Sequence, residues 1–250
     1  MILFLTYHKV SEETGGETDF YTVSRDQLAL ELRALAGAGY QPLPVARLLE
    51  QNDFPGRNYL LSFDDGTLDH YTVTFPLLQE TGGRAVFFVP TAKINRPGHV
   101  TTAQLREMAA AGQTIGCHSH DHKRLDTMTD REMRDQMRKS RDILGGITGV
   151  SPCIFAPVGG YINPHLREVA QGFGVRAIRT MEWGYNETVD LTALETIPLN
   201  RHITNQQFQE ILAARRGRSL YVGKQAIKAL LPMHTYERLR GLVFRVSGKN

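Results

Sequence analysis

The chain has 250 residues, 41% of them hydrophobic and 22% charged, and a formal net charge of +3. This is the composition of an ordinary globular protein, long enough for one large α/β domain or two small ones, and its two cysteines, Cys117 and Cys153, exclude a disulfide framework. No apolar stretch approaches the roughly 20 residues that span a bilayer, and "MILFLTYHKV" is too short in its apolar part for a secretory signal, so the expected location is cytoplasmic.

The first element is the strand "ILFLTY" (2–7), with His8 just past its end. A helix follows in "SRDQLALELRALAGAGY", where Leu28, Leu32 and Leu35 share a face, Ser24 is the N-cap and glycines close the run. The strand "YLLSF" (59–63) leads into Asp64 and Asp65, "AVFFV" (85–89) comes next, and "TIGCH" (114–118) leads into His120 and His122. "TDREMRDQMRKSRDIL" opens with Thr129 and Glu132 at capping-box spacing. Three more strands complete the set: "CIFA" (153–156), "VRAI" (175–178) and "TIPLN" (196–200). The first of these is followed by "PVGGY" and the last by Arg201 and His202. Strand–helix alternation predicts a mainly parallel sheet with helices outside it. About seven such units predict a barrel, with an open doubly wound sheet as the alternative. In a barrel the loops at the C-terminal ends of the strands carry the chemistry. His8, the aspartate pair, the histidine cluster, the loop after 156 and His202 then share one rim.

Before a glycine, Asp64 and Asp65 read as turn residues, but adjacent carboxylates also repel unless water or a cation takes up their charge. His118 and His122 are four apart, so on one helical turn their imidazoles face the same way. With a carboxylate they make a ligand set suited to zinc or a similar divalent ion. His118 with His120 is a second pair, available if the strand continues; the first is preferred. His8, a lone histidine, reads as structural or as lining the site. The cysteines read as small buried residues at strand ends.

"SFDDG", followed about fifty residues later by "HSHDH", resembles the first two motifs of the polysaccharide deacetylases, carbohydrate esterase family four. The likeness of layout runs over roughly residues 1–205. It implies a distorted (β/α) barrel of about seven parallel strands. It also implies a metal-dependent hydrolase that removes acetyl groups from N-acetylhexosamine units of a glycan or glycoconjugate. By the same resemblance Asp65, His118 and His122 bind one divalent ion, zinc first with cobalt or nickel as alternatives, and Asp64 is the general base. The family's third motif carries an arginine that orients this base. Setting Pro157 and Gly159 of "CIFAPVGGY" on that motif puts Phe155, or one residue along Ala156, at the arginine's place. Arg179 and Arg201 remain as replacements from other loops. Pro157, Gly159 and Tyr161 are assigned to substrate binding, and so is Trp183 of "MEWGYN", which matches the fourth motif as a wall of the acetyl pocket or a platform for a sugar ring. The fifth motif ends in a histidine acting as general acid. In "IPLNRHIT" the histidine falls one position late, so His202 is the candidate acid, with Arg201 the alternative functional residue there.

Two other functions compete: a metal-dependent hydrolase of a non-sugar amide or an O-acetyl ester, and a non-catalytic carbohydrate-binding relative. Retention of Asp64, Asp65, His118 and His122 together argues against the second. No nucleic-acid partner is expected. Residues 201–250 hold ten Lys or Arg against two Asp or Glu. The expected division is a catalytic barrel over 1–205 and a basic helical extension over 206–250 packed on it. In the extension Val222, Ala226 and Leu230 fall opposite Lys224 and Lys228, a pattern suited to peripheral contact with an anionic membrane surface that presents a lipid-linked sugar.

Overall fold

The computed structural model describes residues 1–12, 19–51 and 53–214. Its strands, in chain order, are β1 (Ile2–Tyr7), β2 (Lys9–Ser11), β3 (Thr22–Ser24), β4 (Tyr40–Pro42), β5 (Arg57–Asp64), β6 (Ala85–Val89), β7 (Thr114–Cys117), β8 (Ile154–Phe155), β9 (Ala177–Trp183) and β10 (Leu194–Pro198). The helices are α1 (Arg25–Gly37), α2 (Val45–Glu50), α3 (Phe75–Thr81), α4 (Thr102–Ala110), α5 (Asp130–Thr148), α6 (Pro164–Gly172) and α7 (Asn205–Leu212). Among the described residues seven parallel strands close a barrel in the order β1, β5, β6, β7, β8, β9, β10 and back to β1. β1 and β5 pair along the whole of β1, from Ile2 opposite Asn58 to Tyr7 opposite Phe63. That closure excludes the open sheet.

Each predicted strand falls on a barrel strand. β9 differs most: it begins two residues later than its apolar run and continues to Trp183. Opposite β10 it carries extra residues, since Leu194 faces Arg179 while Thr196 faces Trp183. This irregularity distorts the barrel wall beside Arg179, as bulges at barrel rims commonly do. β2 and β3 pair with each other on the connection from β1 to α1, and β4 adds to the first residues of β5. Three-residue strands offer no run long enough to mark them in the sequence.

Alternation of side chains along each strand layers the interior. Ile2, Phe4, Leu60, Val86, Ile154 and Ala177 form a buried apolar floor. Gly116 of β7 is required there, because a Cβ would come within 2.6 Å of the Phe88 ring. One layer up, Thr6 Oγ1 lies 2.9 Å from Ser62 Oγ and 2.6 Å from Thr196 Oγ1, and Thr196 donates to the Phe4 carbonyl. Outside the barrel, Met133 and Met137 of α5 and Leu166 and Val169 of α6 cover Cys117, Phe155 and Ile178. Cys117 is buried there as a free thiol. The caps are those expected: Ser24 accepts from Gln27 N, and Thr129 and Glu132 complete a capping box. Residues Met1–Gln209 form the unit that bears the site. α7 crosses the predicted boundary at 205, and residues 215–250, with the amphipathic pattern of the extension, lie outside the described residues.

Candidate active site

Asp64 ends β5, and alternation with Leu60 and Ser62 turns its carboxylate inward over the hydroxyl layer. Arg179 reaches it from β9: its Nη2 donates to both carboxylate oxygens, at 2.6 Å to Oδ1. Arg179 is fully buried and Asp64 is 3% exposed. Burial alone would raise the Asp64 pKa; the Arg179 guanidinium, with His118 and His8 near, brings it below the ordinary carboxylate value. Arg179 also sits over the Phe88 ring at 5.0 Å and donates from Nη1 to Met181 Sδ at 2.8 Å. Of the two arginines that the sequence leaves open, Arg179 is the one bound to Asp64; Arg201 is exposed. Phe155 and Ala156 are both buried in the core.

Asp65, Ser119 and His122 all have left-handed backbones, with φ of 81°, 63° and 57°. For residues with a Cβ this costs roughly 1–2 kcal/mol each, the kind of strain that collects at functional sites. The helical turn expected between His118 and His122 is not formed. The segment is a loop that reverses at Ser119 and again at His122, and that double reversal, rather than a helical face, brings the two imidazoles within 5.1 Å. Their Nε2 atoms lie 3.4 Å (His118) and 2.8 Å (His122) from Asp65 Oδ1. One ligand atom from each of the three residues falls within 4.8 Å of the others. His118 Nδ1 is 2.6 Å from the Ala156 carbonyl, which fixes its ring and leaves Nε2 toward Asp65. Burial would raise the Asp65 pKa, and the hydrogen bonds with His118 and His122 outweigh it and hold the carboxylate ionised. His120 is engaged elsewhere, its Nδ1 2.7 Å from Thr91 Oγ1 and its backbone N–H on Gln136.

His8 follows β1 on the inward register. Burial lowers its pKa below the ordinary imidazole value, and the charges of Asp64 and Asp65 offset only part of that shift. Its Nδ1 is buried without a hydrogen-bond partner among the described residues. Two residues that sequence reasoning passed over hold this strand end. His70, fully buried against the stacked rings of Phe63 and Phe87, places Nε2 2.5 Å from the His8 carbonyl. Asp69 accepts from Val10 N at 2.8 Å. Their one sequence signal was position, five and six residues after the aspartate pair's first member.

The remaining candidates are less central. The loop with Pro157, Gly159 and Tyr161 packs on Met181, where a Cβ on Gly160 (φ 74°) would approach within 2.4 Å. Tyr161 lies under the Arg124 guanidinium at 3.6 Å. Trp183 meets Tyr185 edge-on at 5.2 Å. His202 is exposed, with its ring 5.4 Å from Phe20.

A parallel barrel with paired aspartates after one strand and spaced histidines after another is the arrangement of a family. The sequence model of the polysaccharide deacetylases matches residues 51–178, over half the chain, and the chain belongs to that family. It is similar to YxkH of Bacillus subtilis, which carries a polysaccharide deacetylase name, at 28% identity over 72% of this chain and 64% of that protein. It is also similar to the peptidoglycan-N-acetylglucosamine deacetylase PgdA of Listeria monocytogenes, at 30% identity over 50% of this chain and 26% of PgdA. The match thus spans less than two thirds of each relative. Among solved structures, the Streptococcus pyogenes deacetylase PplD in complex with acetate superposes with a TM-score of 0.77 at 22% identity, covering 84% of this chain and 97% of that one, and shares the fold.

Proposed function

We propose that this chain is a divalent-metal-dependent hydrolase that removes acetyl groups from N-acetylhexosamine units of a glycan. One observation carries the reading: a cluster of two histidines and one aspartate stands beside a second aspartate that a buried arginine holds ionised. The donor set fits a metal, because the carbonyl-anchored His118 ring, the His122 ring and Asp65 present three ligand atoms to one point, with zinc the first choice and cobalt or nickel alternatives. When bound, such an ion supplies Lewis-acid polarisation of the acetamide carbonyl and a more acidic water.

Asp64 takes the proton of the water that attacks the acetamide carbon. Arg179 keeps that carboxylate ionised and fixed in orientation between turnovers. As the C–N bond breaks, the leaving amine needs a proton, and we assign its delivery to His8 in place of His202. Buried Nδ1 of His8 has no other engagement among the described residues, and the charges of both carboxylates favour the protonated imidazole against the burial that lowers its pKa. His202, by contrast, is exposed beside Phe20. Trp183 and the 157–161 loop are proposed to bound the substrate.

The test is acetate release from N-acetylglucosamine oligosaccharides. A chelator should abolish it, and zinc, cobalt or nickel should restore it. Release only from aryl acetates or simple amides would favour the non-sugar hydrolase instead. From the charge of residues 201–250 we also propose peripheral attachment at the inner membrane surface. Sedimentation with anionic vesicles, weakening as salt is raised, checks this; retention in the supernatant at low salt would end it.

A further inference from the structure

The connection from β1 to α1 carries two exposed aromatic rings, Phe20 at 44% and Tyr21 at 39% exposure. Isolated exposed rings are common on protein surfaces, but these belong to a row. The Tyr21 ring lies 4.8 Å from that of His8, the Phe20 ring meets Tyr21 edge-on at 5.1 Å, and the His202 ring lies 5.4 Å beyond Phe20. His8, at the inner end, follows β1 level with Asp64 at the end of β5, since Thr6 pairs opposite Ser62 and Tyr7 opposite Phe63. The row therefore leads from the carboxylates outward to solvent.

The platform is held in place. Asp19 Oδ1 accepts from Tyr21 N and from Thr22 Oγ1, each at 3.0 Å, and Asp19 Oδ2 takes the Lys9 ammonium at 2.8 Å. Pairing of Lys9 with Thr22 and Val10 with Val23 ties the segment to the end of β1. Rings fixed before binding lose little freedom on contact. The C–H faces of a pyranose are apolar and bear partial positive charge, which an aromatic face attracts, while the hydroxyl rim of the sugar stays in water.

We propose that Phe20 and Tyr21 form a stacking subsite for the sugar unit next to the one whose acetamide is hydrolysed. This rests on the deacetylase reading and deepens it: the substrate is an oligosaccharide or polysaccharide rather than a free N-acetylhexosamine. Because Tyr21 touches His8, the discriminating position is Phe20.

The experiment compares kcat/KM for acetate release from an N-acetylglucosamine tetramer and from the monosaccharide. Phe20→Ala should lower the ratio of tetramer to monosaccharide about tenfold, chiefly through KM on the tetramer, the equivalent of one aromatic contact. Phe20→Trp should restore the ratio, and Phe20→Leu, which keeps apolar bulk without a ring, should not. An unchanged ratio in Phe20→Ala overturns the subsite. Calorimetric titration of the tetramer into the full-length Asp64→Asn protein separates this proposal from the reading beneath it. Binding that weakens about tenfold on adding Phe20→Ala, from a wild-type protein that releases no acetate, upholds the subsite and removes the deacetylase. Acetate release with an unchanged ratio and unchanged binding does the reverse.

Discussion

The two ends of the barrel interior are made by the same strands under the same alternation, yet their physical chemistry is opposite. At the floor, Ile2, Phe4, Leu60 and their neighbours are apolar and buried, each worth about 1.5–3 kcal/mol relative to exposure. At the rim, Asp64 and Arg179 form a buried ion pair, three residues hold left-handed backbones, and His8 buries a nitrogen with no hydrogen-bond partner among the described residues. Each of those features is unfavourable taken alone. They persist because the floor and the outer helices over-determine the fold. The hydroxyl layer of Thr6, Ser62 and Thr196 is the boundary between the two regimes.

The sharpest way to break the comparison lies within the aspartate pair at the rim. Asp65→Ala and His118→Ala should abolish metal content and with it all turnover. Asp64→Asn should keep about one divalent ion per chain and still lose roughly 10²-fold or more in kcat, the usual contribution of a general base. Metal analysis alongside kinetics distinguishes them; loss of the ion in Asp64→Asn would mean that the two carboxylates share one role.

A smaller effect sets rim against floor directly. Arg179→Met removes one partner of a buried ion pair, and Phe4→Ala empties part of the apolar floor. Both should cost about 3–5 kcal/mol of stability in urea unfolding. They should part in activity per folded molecule: Arg179→Met loses roughly 10²-fold because Asp64 loses its charge and orientation, while Phe4→Ala stays within a few-fold of wild type. Equal activity losses would mean that Arg179 serves only the packing. At the same rim, His8→Ala should slow amide hydrolysis far more than hydrolysis of an aryl acetate, whose leaving group needs little protonation. His202→Ala should slow both alike and slightly, and a selective amide defect there would return the acid role to His202.

The floor was the more legible end. Apolar runs such as "AVFFV" and "ILFLTY" locate barrel strands because burial on both faces leaves little room for polar residues. The aspartates and the pair His118 and His122 were also visible, since they lie close in sequence and carry family spacing. Their geometry was not: adjacency of the two imidazoles comes from left-handed Ser119 and His122, and nothing in "HSHDH" announces a positive φ. Arg179 could be named only as one of two candidates, because the choice depends on the register and distortion of β9 against β10. His70 and the Phe20–Tyr21 pair went unassigned for a related reason. The His8 carbonyl that His70 meets is 62 residues away and is brought there by the pairing of β1 with β5. Tyr21 reaches the His8 ring through β2 and β3, strands of three residues that leave no pattern in the sequence.

Glu31 offers the mildest probe, from the outer face of the barrel. It is 3% exposed on α1, where Tyr7 Oη donates to Oε2 at 2.8 Å and Gln27 Nε2 to Oε1 at 3.0 Å. Burial outweighs those hydrogen bonds and pushes its pKa up from 4.5 to about 7. The folded state thus holds this proton more tightly than the unfolded chain does. Its contribution is fully present below about pH 4.5 and is lost as pH rises through about 7. The loss should reach on the order of 3 kcal/mol by pH 8. Glu31→Gln keeps the shape without the ionisation, and titrations elsewhere are common to both proteins. Urea unfolding from pH 5 to 8 should therefore show wild-type stability falling relative to Glu31→Gln; parallel curves would mean that the carboxylate is ionised at little cost even where it lies buried against β1.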